Sequence, residues 1–88
     1  MTKALFTKFD RMASDVDGAM EALQERIDAL QEKIDDLEDK QAERETDARQ
    51  TRIDELASQM DELQSAYDDM DLAKDAIETA RDHFDPDA

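Results

Sequence analysis

Two rows of apolar residues, each recurring every seventh position, constrain this chain more than any other feature. One row is Phe6, Ala13, Met20, Ile27 and Ile34; the other is Phe9, Val16, Leu23, Leu30 and Leu37. The steps between the rows alternate three and four without a miss. An apolar repeat of about 3.5 residues is the a/d seam of a coiled coil, which a slightly under-wound helix keeps turned toward a partner helix. Ile at a with Leu at d is the choice that two-stranded contacts favour. The chain is therefore expected to be all-α, and its first property is to hold helices together.

A second series begins at Ile53. It runs Ile53, Met60, Tyr67 on one row and Leu56, Leu63, Met70, Ile77, Phe84 on the other. Lys74 and Arg81 fall on the first of these rows and dilute it, and their charged heads are expected to snorkel out to the acidic surface. Toward both chain ends the apolar face widens. Leu5, Met12 and Ala19 occupy g positions beside the first seam, and Ala66, Ala73 and Ala80 do the same beside the second. A face of three positions in seven suits a bundle better than a narrow two-helix seam.

Between the two series, residues 38–52 read EDKQAERETDARQTR, with no apolar residue larger than Ala. The step from Leu37 to Ile53 is not a whole number of heptads, so one continuous rod would have to move its stripe by roughly a quarter turn across a polar centre. A hairpin removes the conflict. Folded at about Glu45, the chain sets Leu37 against Ile53, Ile34 against Leu56, Leu30 against Met60, Ile27 against Leu63, Leu23 against Tyr67 and Met20 against Met70. Farther on, Ala13 meets Ile77 and Phe6 meets Phe84. No Gly, Pro or Asn marks the turn, but Thr46 or Asp47 can serve as an N-cap, and Thr51 with Asp54 makes an approximate capping box. The expected architecture is a single coiled-coil domain over residues 1–88. Helix 1 covers about 4–42 with Thr2 as a cap and a frayed end at 1–3, a polar turn covers about 43–47, and helix 2 covers about 48–84. Pro86 stops that helix, and residues 85–88 form a loose acidic tail. Two such hairpins would complete a four-helix bundle; the alternative is a coiled-coil dimer of long continuous helices.

Composition narrows the function. A chain of 88 residues seldom buries enough apolar surface alone, so self-association or a partner is expected. It has no Cys, which excludes disulfides and thiolate metal sites. The start is too polar for a signal peptide, no apolar run is long enough to span a membrane, and a cytoplasmic protein is expected. The net charge of −15 argues against direct nucleic-acid binding through phosphates. Of the 26 acidic residues 17 are Asp, although Glu is the better helix former, and only five residues are Lys. That Asp excess resembles the composition of proteins from salt-accumulating microbes, which implies an acidic, halophilic surface.

No constellation of catalytic or metal-binding residues outweighs the simpler reading. His83 stands alone beside Asp82 and Asp85. Asp15, Asp17 and Gly18 make part of a calcium loop, but the remaining ligand spacing is missing and Val16 belongs to the seam. Asp68, Asp69 and Asp71 do not converge on a helix and read as a solvated face. Methionines 12, 20, 60 and 70 read as adaptable seam packing. Tyr67 to Asp71 resembles the Tyr-x-x-x-Asp/Glu segment of small helical hairpins exported by type VII secretion. The Trp-x-Gly turn of that family is absent, because the chain has no Trp, and no function is carried over.

These residues lead to a non-enzymatic assembly or adaptor protein without cofactors or bound metal. Its expected partner is itself, as a homodimer or higher homo-oligomer, or another protein. The expected partner face is the wide apolar end: Leu5, Phe6, Phe9, Met12, Ile77 and Phe84. Two other classes compete. Rows of Asp on a rod could mimic DNA and occupy the groove of a basic protein. Phe6 and Phe9, flanked by Lys3, Lys8 and Arg11, could anchor a helix at a membrane surface, though membrane contact is the weaker expectation.

Overall fold

A computed structural model of the protein describes residues 2–85. The chain is all-α: two long helices, α1 (Thr2–Glu43) and α2 (Asp47–Asp82), pack as a hairpin, and there is no strand among the described residues. α1 starts at Thr2, so residues 2 and 3 are helical rather than frayed and Thr2 lies inside the helix rather than capping it. α2 ends at Asp82, two residues before the expected end. His83, Phe84 and Asp85 then donate their backbone N–H groups to Ala80, Arg81 and Asp82 at 3.2, 2.9 and 3.3 Å, a tightened closing turn. The stop expected from Pro86 and the tail at residues 86–88 lie outside the described residues.

Asp is a poor helix former, yet here it is partly accommodated by its neighbours. Gln24, Gln31 and Gln50 each donate a side-chain hydrogen bond to the Asp one turn on, Asp28, Asp35 and Asp54, at 2.9, 2.8 and 3.0 Å. Pairs at this spacing stabilise a helix by a few tenths of a kcal/mol each.

The polar centre of the sequence becomes the turn, residues 44–46, and side chains take the place of Gly or Pro. Arg49 donates its backbone N–H to the Thr46 hydroxyl at 3.2 Å, so Thr46 is the N-cap of α2. The Gln41 side chain bonds both backbone groups of Thr46, donating to its carbonyl at 3.2 Å and accepting from its N–H at 3.1 Å. The Arg49 guanidinium donates to the Lys40 carbonyl at 2.9 Å and to the Arg44 carbonyl. The Lys40 carbonyl also accepts the Arg44 backbone N–H at 3.0 Å, so Arg49 adds a second donor there and bonds the first carbonyl past α1, where the helix dipole also favours a cation.

The packing falls into two compact units. One is Leu23–Ala66, which holds the turn. Its core is Leu30, Ile34, Ile53 and Leu56, with Leu37, Ala57, Met60 and Leu63 packed against it. Leu30 and Leu56 are 1% and 2% exposed. Ala57 joins this core although it lies off the a/d rows. The other unit is Met1–Ala22 with Tyr67–Ala88. In its described part Ala13 and Met20 are buried, while Phe6, Phe9, Val16, Met70, Ile77 and Phe84 are only half-buried.

Candidate interaction face

Where the first heptad row of α2 should carry an apolar side chain, Lys74 and Arg81 instead reach across to α1. The Lys74 ammonium lies 2.6 Å from Asp17 and 3.7 Å from Glu78. The Arg81 guanidinium lies 2.8 Å from Asp10 and 3.3 Å from Asp82. Hydrogen bonding to Asp17 raises the Lys74 ammonium above its ordinary range, and Asp10 does the same for Arg81, against the lowering effect of partial desolvation. Arg81 also lies over the Phe6 ring, 5.6 Å from its centroid. That contact shifts the aromatic pairing. Phe84 stacks on Phe9, with centroids 5.8 Å apart and planes 4° from parallel, and not on Phe6 as the register from the sequence has it.

The unit of residues 2–22 and 67–85 therefore has two unlike edges. Asp10 and Asp17 occupy e positions, so the ion pairs line the e edge. On the opposite g edge stand Leu5, Met12 and Ala19 of α1 and Ala73 and Ala80 of α2, beside the stacked Phe9 and Phe84. Leu5 and Met12 are 39% and 45% exposed. Ala19 and Ala80 are half-buried and Ala73 is exposed. Of the six residues read as a partner face, Leu5 and Met12 are thus open to solvent. Phe6, Phe9, Ile77 and Phe84 are half-buried, the rings of Phe6 and Phe9 already engaged by Arg81 and Phe84.

The remaining seam residues divide between the units. Ile27, Leu30, Ile34, Ile53 and Leu56 are buried, and Leu23, Leu37, Met60 and Leu63 are half-buried, in the unit that holds the turn; Tyr67 is half-buried in the other. Among the described residues no group of three His, Asp or Glu side chains could hold a metal ion, and no helix is long and apolar enough to cross a membrane.

The chain matches no protein-family model, no curated protein and no solved structure.

One exposed apolar residue escaped the sequence reading. Leu72 is 68% exposed. It sits at f, the outermost heptad position, and counting positions outward from Tyr67 and Met70 would have found it. Gln41 and Arg49 also carried no advance signal, since a polar side chain that bonds a turn leaves no periodicity.

Proposed function

We propose that this protein is a non-enzymatic assembly or adaptor protein whose helical hairpin associates with other protein surfaces, first of all with further copies of itself, in a salt-adapted cytoplasm. The observation that carries this reading is the contrast between its two packing units. Leu23–Ala66 closes a core whose central side chains are almost fully buried. The other unit, with three Phe side chains and comparable apolar content, leaves Leu5 and Met12 open and its aromatic residues half-covered. Burying such a face on a partner gains about 25 cal/mol for each Å² of apolar area removed from water. The acidic outer positions keep the assembly soluble and exclude partners that carry phosphate.

The test is the mass of the chain in solution by sedimentation equilibrium, in dilute buffer and in molar KCl. A mass of two or more chains in KCl is expected. A mass of one chain at every concentration and salt level would remove self-association from the function.

A further inference from the structure

We propose that a second copy of this chain docks on the g edge of the unit formed by residues 2–22 and 67–85, related to the first by a twofold axis passing at Met12. The proposal rests on the assembly reading above and specifies its partner, its edge and its orientation.

The choice of edge follows from the side chains. The e edge is closed by Asp10–Arg81 and Asp17–Lys74, at 2.8 and 2.6 Å. Covering it would desolvate paired charges, a cost that the attraction between them seldom repays. The g edge carries no charge at Leu5, Met12, Ala19, Ala73 or Ala80. Its alanines on α2 leave room for a neighbouring backbone to approach.

The choice of a second copy follows from area and from charge. An interface of standard size takes roughly 800 Å² from each partner, and about 600 Å² at the lower end. A face of about twenty residues is about 30 Å long and, at two helix diameters, about 20 Å wide. That is room for an interface at the lower end of the stable range.

The choice of orientation follows from two charges. Lys8 and Asp15 stand four residues before and three residues after Met12. At about 100° per residue both fall on the same flank of Met12, at c positions bordering the g row. Both are exposed, and neither has an ion pair among the described residues. A twofold axis at Met12 runs the two α1 helices antiparallel and exchanges these positions. Lys8 of each copy then faces Asp15 of the other, Met12 meets Met12, and Leu5 meets Ala19. A parallel twofold arrangement would put the Lys8 and Asp15 flanks of the two copies on opposite sides of the contact, where neither charge meets a partner. At the level of Met12, Ala76 and Ala80 of α2 face their counterparts with no charge to bury.

Sedimentation equilibrium of charge-reversed chains, at the lowest KCl concentration at which the unaltered chain is a dimer so that exposed pairs are least screened, tests the pairing, with circular dichroism confirming that each variant keeps its helix content. Lys8→Asp weakens the dimer about tenfold, as reversing two exposed ion pairs should. Asp15→Lys also weakens it about tenfold, although it lowers the net charge and would strengthen any association limited by general repulsion. The double exchange Lys8→Asp with Asp15→Lys restores the affinity of the unaltered chain to within about threefold. A second measurement uses the absence of cysteine. Met12→Cys forms a cross-linked dimer on mild oxidation, whereas Leu72→Cys does not.

A wild-type chain that is a monomer would overturn this pairing together with self-association. A wild-type dimer whose Asp15→Lys variant binds more tightly, whose double exchange is not rescued, or whose Met12→Cys variant fails to cross-link would overturn the pairing alone and leave self-association to another face.

Discussion

Gln41 on α1 holds both backbone groups of Thr46, the residue that caps α2, through bonds of 3.2 and 3.1 Å. Its amide thus satisfies the polar backbone while the chain reverses, and no described residue has to take the positive φ for which turns use glycine. Gln41→Ala leaves both groups to water and is expected to lower stability by about 1 kcal/mol, the net worth of a typical hydrogen-bond set at a half-exposed site. Thr46→Ala removes the cap and costs a similar amount, about 1 kcal/mol. The two residues share one network, so the double variant should cost less than both losses added. Urea denaturation of the three variants checks the coupling, and strict additivity would show that Gln41 and Thr46 act independently.

Leu30 and Leu72 are the same side chain in opposite settings, 1% and 68% exposed. Leu30 packs among Ile34, Ile53 and Leu56, so Leu30→Ala leaves a cavity and should cost about 2–5 kcal/mol. Leu72→Ala removes nothing from a core and should change stability by less than about 0.5 kcal/mol. Thermal melts of the two variants separate these outcomes. A large loss for Leu72→Ala would mean that its face is covered in solution.

Much of the fold was legible because the a/d rows carry large apolar residues at an unbroken spacing, and because the second series starts out of phase with the first. That phase conflict, more than any turn signal, placed the reversal close to Glu45. The means of reversal was not legible. Gln41 and Arg49 act through backbone groups that come near them only after the chain has turned. The pairing at the far end was legible to within about one turn: Phe84 finds Phe9 instead of Phe6 because Arg81 occupies the Phe6 ring. The wide face was visible from Leu5, Met12 and the alanines. What could not be read was that Lys74 and Arg81 would each find an aspartate on one edge alone.

Gly18 is the one glycine of the chain and lies within α1. A Cβ built there meets nothing within 4 Å. Alanine at this exposed helical position loses less backbone entropy on folding and enters no occupied space. Gly18→Ala should therefore raise stability by about 0.5–1 kcal/mol, read as a higher urea midpoint at unchanged slope. A loss instead would reveal a neighbour pressed against this face.

Asp17 and Lys74 give the hairpin a dependence on alkaline pH. The Lys74 value is raised in the folded chain by its hydrogen bond to Asp17. A group raised on folding contributes stability that is fully present below its unfolded value, for lysine about 10.4. That contribution is lost as pH rises through the folded value. The melting temperature of the wild type should therefore exceed that of Asp17→Asn by a constant margin from neutral pH to about pH 10, and the margin should shrink above it. Arg81 keeps its charge throughout, so Asp10→Asn should show no such narrowing. A margin for Asp17→Asn that survives to pH 12 would assign the effect to packing rather than to the ion pair.

Salt acts on the whole charge distribution. Attractive pairs such as Asp36–Lys40 at 3.0 Å and Arg52–Glu55 at 3.4 Å are exposed and weaken as salt screens them. Repulsion among acidic residues weakens too, and with 26 acidic against 11 basic residues it is the larger sum. The Debye length falls from about 30 Å at 0.01 M to about 3 Å at 1 M, which removes contacts between successive rows of Asp along a helix. The melting temperature in molar KCl is therefore expected to exceed that in dilute buffer by several degrees. Sucrose, which strengthens burial without screening charge, separates the two causes. A rise in KCl far beyond that in sucrose assigns the effect to charge and supports a surface adapted to salt. An unchanged melt in KCl would mean that the acidic rows are already held apart well enough by the hairpin, and the adaptation reading would lose its physical basis.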